Sequence, residues 1–442
     1  MANAFFIRKG QTMFIECIKV KNFRCFENVE FDFTERMTVI AGDNGSGKTA
    51  VLEAAAIAAG TMFQPMDELS GKSINKRDAA LKPFPTGSLA GGESQFPVEI
   101  EAKGTPESDS IEWKRSLNGP EGKTTIMDAR PMTDLGKRLL SGVRSDNKAM
   151  ILPVLAYYGT GRLWDYHREK RTDTFKRTSR LNGYIDSLDG TANIKLMMNW
   201  FKKMTVQKYQ NQENGKGKIP EFDVVCKAIE TYYEQITGNK EAVLQFNLGT
   251  NELDIYYNEG GKRMCMPLSQ LSDGYKGTLS LIADIAYRMS LLNPDLMEEA
   301  ITRTPGLVLI DEVDLHLHPT WQERIVEDLM TIFPQVQFIV TTHAPIVINS
   351  IRSDNLILLR DKQPGSAGLE VYGKDANSII QSVMRSNERP VRVKKMFEDF
   401  YSAVDEGMPD KARVILNRIE KEIGTDDAET AACEVQLSLE EA

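Results

Sequence analysis

The 442-residue chain has no uninterrupted apolar run long enough to cross a bilayer, where a spanning helix needs about 20 such residues, so transport through its own membrane helices is excluded. Its first residues do not read as a secretory signal either: Arg8, Lys9 and Gln11 stand where an apolar core and a small-residue cleavage site belong. The expectation is a cytoplasmic protein without a membrane partner. Cysteine is sparse and odd in number: Cys17, Cys25, Cys226, Cys265 and Cys433 are scattered without paired spacing, which excludes both a disulfide framework and a cysteine zinc site. There is no internal repeat and no low-complexity tract. A net charge of −9 argues against a chain coated in nucleic acid, while leaving a local basic groove open.

What is present reads as α/β. Apolar runs at Phe14 to Val20, Val29 to Phe33 and Met37 to Ala41 predict strands leading into an alanine-rich helix from Thr49. The stretch from Thr61 to Gly92, rich in Gly, Pro, Ser and Lys, predicts a mobile loop, followed by antiparallel strands at Val98 to Ala102 and Ile111 to Arg115. After Leu152 to Tyr158 comes a polar insertion with amphipathic helices at Ile194 to Tyr209 and Glu221 to Ile236. The α/β pattern then resumes with strands near Val243 to Phe246 and Leu253 to Tyr257, a helix from Tyr275, and strands from Leu307 and Gln337.

Gly42-Asp43-Asn44-Gly45-Ser46-Gly47-Lys48-Thr49 fits the P-loop spacing and has the right context, after a strand and opening a helix. Glycines let successive backbone N–H groups turn toward phosphates, and the helix adds the positive end of its dipole. Lys48 would hold the β and γ phosphates of ATP, and Thr49 would offer its hydroxyl to Mg2+. Leu307-Val308-Leu309-Ile310-Asp311-Glu312 reads as a central parallel strand ending in two acids. Ligands collect at that end of such sheets, so Asp311 would serve the metal and Glu312 would polarise the attacking water. Gln337 to Thr342 is a second buried strand, and His343 at its end would donate a hydrogen bond to the γ-phosphate.

Leu271-Ser272-Asp273-Gly274-Tyr275-Lys276-Gly277, just before an apolar helix, resembles the ABC signature, departing from Ser-Gly-Gly-Gln at Asp273 and Tyr275. Read locally, Ser272 is a helix N-cap. The resemblance implies an ABC-type P-loop head with a mixed sheet, in which Ser272 and the amides near Gly274 reach the nucleotide on a partner copy, so that ATP joins a dimer. It further implies that Asp314 is a D-loop residue at that junction, and that Arg24 matches a basic residue which RecF-like and SMC-like heads place near the nucleotide. The expected Q-loop glutamine is missing from Leu155 to Arg162; Arg162 or the preceding glycine loop is the replacement. His316 and His318 lack the spacing of a zinc pair and are expected to pack beneath the interface. No heptad arm lies between Thr49 and Leu271, which makes this a compact head rather than an SMC protein.

Pro153 to Trp164, Leu315 to Gln322 and Tyr372 to Ile379 together resemble the PtuA family, the ATPases of the Septu antiphage system, also found in some retrons. That resemblance runs nearly end to end. It implies a partner, a PtuB-like HNH nuclease, which ATP would keep restrained; the alternative is a RecF-like repair ATPase that binds duplex DNA without a nuclease. The expected organisation is an N-terminal lobe over 1–160, a helical basic insertion over 161–240, a lobe with signature and acidic strand over 241–360, and a helical extension over 361–442. Lysines, arginines and interleaved aromatics at 162–180 read either as a nucleic-acid groove or as a solvated face. From Pro390 to Leu439 the apolar spacing predicts a helical hairpin, which either caps the head or docks the nuclease. Dimers would be the minimum assembly, with larger oligomers open.

Overall fold

The computed structural model describes residues 13–440 apart from 67–68, 70, 84–91, 107–108, 163–178, 191–193, 367, 369 and 385–388. In chain order it begins with β1 (Phe14–Phe23), β2 (Phe26–Asp32), β3 (Met37–Gly42) and α1 (Lys48–Ala59). Then come β4 (Leu81–Pro83), β5 (Gly92–Ser94), β6 (Val98–Thr105), β7 (Ile111–Leu117), α2 (Arg130–Arg144) and β8 (Val154–Tyr158). The insertion carries α3 (Ile194–Glu213) and α4 (Pro220–Thr237), and is followed by β9 (Lys240–Asn247), β10 (Glu252–Glu259), β11 (Lys262–Pro267) and α5 (Asp273–Leu292). The last part of this unit holds β12 (Gly306–Ile310), α6 (Ile325–Ile332), β13 (Val336–Thr342), β14 (Leu356–Arg360) and β15 (Gln363–Gly365).

Among these residues a six-stranded sheet runs in the order β15-β14-β3-β13-β12-β8, parallel throughout except for β15. Strands covered on both faces must be apolar along their whole length, and β8, β12 and β13 are buried at every position. A second, antiparallel sheet, β2-β1-β6-β7, faces it across α1. Small side chains let that helix lie close to both layers: Ala54, Ala55, Ala56, Ala58 and Ala59 are all fully buried. A glutamine near the start of β13 explains how the layers are tied. The Gln337 amide donates to the carbonyls of Ile15 (2.9 Å) and Thr34 (2.8 Å) and accepts from the Ile15 N–H (2.8 Å), so no buried amide group is left bare.

Three expectations change. The segment predicted as a mobile loop is anchored up to Pro83: Thr61, Met62 and Phe63 are buried, Thr61 accepts from the buried Arg115, and Ile74, Ala79 and Ala80 are also buried. The glycine- and lysine-rich composition hid these anchors; residues 84–91 lie outside the described ones. The strands near Val243 and Leu253 do not resume the central sheet but form their own antiparallel sheet, β11-β10-β9. The chain end forms three helices rather than a hairpin: α7 (Val391–Asp405), α8 (Pro409–Ile423) and α9 (Ala428–Glu440). They belong to a separate compact unit, Lys374–Ala442, with a core of its own around Phe397, Phe400, Leu416, Ile419 and Leu437.

Candidate nucleotide site

Parallel order brings the carboxyl ends of β3, β12 and β13 together, and three of the motifs lie there. Between β3 and α1 the chain turns through Gly45 (φ 78°) and Gly47 (φ 107°), left-handed conformations that side chains resist. Gly42 is required for a different reason, since a Cβ there would lie 2.4 Å from the Leu359 carbonyl oxygen. No side chain caps α1 and its first turn holds no acid, so the leading N–H groups stay available to an anion. Lys48 Nζ donates to the carbonyls of Gly42 (2.8 Å) and Asp43 (2.9 Å). Asp43 and Asn44 stand exposed beside it, whereas Ser46 Oγ is buried without a hydrogen-bond partner.

The Thr49 hydroxyl donates to Asp311 Oδ2 at 2.7 Å, joining the helix to the end of β12. The other Asp311 oxygen accepts from Thr341 Oγ1 at 2.6 Å, and the same Thr341 oxygen accepts from the Glu312 N–H at 2.7 Å. Glu312 itself is half-buried in a left-handed turn, φ 48°. Asp314 accepts from Thr342 Oγ1 at 2.5 Å. Burial lowers the pKa of Lys48, and the carboxylates of Asp311, Glu312, Asp43 and Asp314 work against that shift. Burial likewise lowers the pKa of His343, helped by the charge of Lys48 and opposed by Glu312, Asp314 and Asp311. A neutral imidazole can donate one N–H without adding a second positive charge beside the lysine. Free backbone amides, a lysine and an orphaned serine hydroxyl fit a phosphate chain; a hydroxyl beside a carboxylate fits a hard divalent cation.

Lys48, Thr49, Asp311, Glu312, Asp314 and His343 are therefore drawn into one cluster. Ser272 and Gly274 stand elsewhere, against the turn that follows Asp314. A Cβ on Gly274 would lie 2.6 Å from the His316 carbonyl oxygen, and the rings of Tyr275 and Trp321 pack with centroids 4.1 Å apart. Ser272 holds the N-cap position of α5, but its side chain makes no capping bond, unlike the expected cap, and it is exposed. His316 and His318 are exposed on this chain, and His318 Nδ1 lies 3.1 Å from Thr320 Oγ1. Arg24 pairs with Glu53 of α1 and with Asp78 (3.0 Å). Its neighbours Cys25 and Phe26 press on the phosphate loop, within 2.6 Å and 2.5 Å of where a Gly47 Cβ would be. The Arg162 side chain and residues 163–178, which carry the basic stretch, lie outside the described residues.

Sequence reading missed the threonines that hold the acids, and it missed a buried group behind them. Tyr158, the last residue of β8, donates to Asp284 Oδ2 (2.7 Å), which also accepts from Arg288 Nε (2.7 Å). A signal existed: Asp284 and Arg288 are a charged i, i+4 pair in an otherwise apolar stretch of α5.

An AAA-domain family model matches residues 17–241, just over half of the chain, and a second AAA-domain model matches residues 165–349. The Escherichia coli protein named "Retron Ec83 probable ATPase" is 26% identical, over 98% of this chain and 87% of its own. Septu protein PtuA of Bacillus thuringiensis is 25% identical, over 78% of this chain and 75% of its own. Among solved structures, the SmcHead bound to the C-winged helix domain of ScpA aligns with 83% of this chain and 100% of its own, at 15% identity and a TM-score of 0.45. No helix among the described residues is long and apolar enough to cross a membrane.

Proposed function

The chain belongs to the AAA-domain family and is an ATPase, and from that premise we propose that it is the regulatory subunit of an antiphage defence complex of the Septu kind. Two copies close on ATP and control an associated HNH nuclease. The carrying observation is a division within one chain. Lys48, Thr49, Asp311 and Glu312 gather at the carboxyl end of the parallel strands, while Ser272 keeps an exposed, unengaged hydroxyl at the head of a 20-residue helix whose first turn packs on the His316 to Trp321 turn.

In this reading the Gly42 to Gly47 backbone, the amides of α1 and Lys48 bind the phosphates. Thr49 and Asp311 hold Mg2+, which supplies charge neutralisation on the phosphate oxygens. Glu312 accepts the proton of the attacking water, and His343 donates to the terminal phosphate as a neutral ring. Ser272 and the amides near Gly274 serve the second copy's nucleotide, and Asp314 lies at the junction. Arg24, paired with Glu53 of α1 and with Asp78, is the basic residue proposed to lie near the nucleotide. Residues 162–180 remain the proposed contact for nucleic acid.

Mixing two inactive variants tests the shared site. Ser272→Ala and Lys48→Ala should each lose most hydrolysis alone, and activity should return on mixing, because one composite site then has an intact lysine and an intact serine. Ser272→Ala hydrolysing at the wild-type rate, or no recovery on mixing, sinks the shared site. The nuclease contact is proposed for the C-terminal unit, whose helix α9 exposes Val435 (62%) and Leu439 (74%) one turn apart. A nuclease co-expressed with the full chain should co-purify with it and be lost from a chain ending at Gly373; undiminished co-purification rejects that surface.

A further inference from the structure

β13 ends in Thr341 and Thr342, directly before His343. Successive side chains of a strand point to opposite faces, yet both threonines are wholly buried and each hydroxyl does the same double duty. Thr341 Oγ1 donates to Asp311 Oδ1 at 2.6 Å and accepts from the Glu312 N–H at 2.7 Å. Thr342 Oγ1 donates to Asp314 Oδ1 at 2.5 Å and accepts from the Ala344 N–H at 3.0 Å. A hydroxyl can do both, because it carries one donor and two acceptor lone pairs; valine has nearly the same shape and can do neither.

The two faces carry different consequences. With one oxygen bound by Thr341 and the other facing the Thr49 hydroxyl at 2.7 Å, the Asp311 carboxylate is fixed in plane as well as in place. The same Thr341 oxygen holds the backbone of Glu312 in its left-handed turn. Thr342, on the opposite face, fixes the half-buried Asp314, whose chain runs on into the His316 to Trp321 turn under the α5 N-terminus. We propose that Thr341 and Thr342 are positioning residues that separate the site's two tasks. Thr341 sets Asp311 and Glu312 for cation binding and hydrolysis, and Thr342 sets Asp314 for engagement of the second copy. The Thr342 half rests on the shared-site reading given above; the Thr341 half does not.

The test uses the full-length chain with Thr341→Val, Thr341→Ser, Thr342→Val and Thr342→Ser. Removing a buried hydrogen bond to a carboxylate is expected to change the affected constant about tenfold or more. Thr341→Val should raise the magnesium concentration at half-effect about tenfold, both in hydrolysis and in ATP-induced thermal stabilisation, with the protein concentration for dimer formation unchanged in saturating magnesium. Thr342→Val should do the reverse: an about tenfold higher protein concentration for ATP-dependent dimerisation by light scattering, with an unaltered magnesium titration. Both serine variants should recover most of the loss, which separates the hydroxyl from packing of the methyl group. The proposal is overturned if the two valine variants move the same constant, or if serine rescues neither. A wild-type rate per chain that does not vary with protein concentration overturns the shared-site reading and the Thr342 assignment with it; the magnesium titration then decides Thr341 alone.

Discussion

Glu312→Gln should bind ATP about as well as the wild-type chain, hydrolyse it about 10²–10⁴ times more slowly, and accumulate as an ATP-bound dimer. Glutamine matches the shape of the glutamate, but its amide cannot accept the proton of an attacking water. The groups proposed to hold the nucleotide and its metal are untouched, because Asp311 keeps both of its hydroxyl partners and Lys48 its place. The turn should survive as well. It is fixed through the Glu312 backbone N–H by Thr341, and the left-handed φ of 48° is no worse for glutamine. Single-turnover hydrolysis and size-exclusion chromatography with ATP measure the two halves of this result. A variant that turns over at the wild-type rate would remove Glu312 from the chemistry; one that stops hydrolysis but stays monomeric in ATP would leave the chemistry and remove the dimer.

The parts of this site that were legible beforehand are those whose signal is local. Leu307 to Ile310 and Gln337 to Val340 announce buried parallel strands because nothing polar but Gln337 interrupts them, and the glycine spacing before Lys48 is fixed by backbone geometry. Thr341 and Thr342 are present in the same run, but a threonine in a strand is equally well explained by β-propensity. Their contact with Asp311 and Asp314 follows only from β13 lying next to β12, a strand order that no local pattern carries. β11 was invisible for the opposite reason. Its first four residues, Lys262 to Cys265, are all exposed, so the alternation that marks a half-buried strand is lacking. The third C-terminal helix buries little more than Thr430, Cys433 and Leu437, too few to set a period within Ala428–Glu440.

Arg288→Met should destabilise the larger unit by about 3–5 kcal/mol, the usual consequence of leaving one buried charge without its partner. Arg288 and Asp284 have side chains only 3% and 2% exposed and meet at 2.7 Å. Burial works against the guanidinium charge, but the Asp284 carboxylate more than offsets it and holds the arginine pKa above its ordinary value. Burial and the same carboxylate push the Tyr158 phenol up, which keeps it a donor. Arg288 also donates to the carbonyls of Gly183 (3.0 Å) and Ile185 (2.9 Å). The network is not fully satisfied, because Asp284 Oδ1 has no partner. Removing both charges should therefore cost less than removing one: Asp284→Leu with Arg288→Met should recover part of the loss in urea denaturation. A double variant less stable than Arg288→Met alone would show that the pair stabilises outright. The pair also connects to both halves of the proposed site. It joins α5, which begins one residue after Ser272, to Tyr158, whose carbonyl accepts the Asp311 N–H at 2.8 Å. Hydrolysis by Arg288→Met should accordingly fall at temperatures where the chain is still folded, and the double variant, which lacks the same tie, should not regain it with its stability.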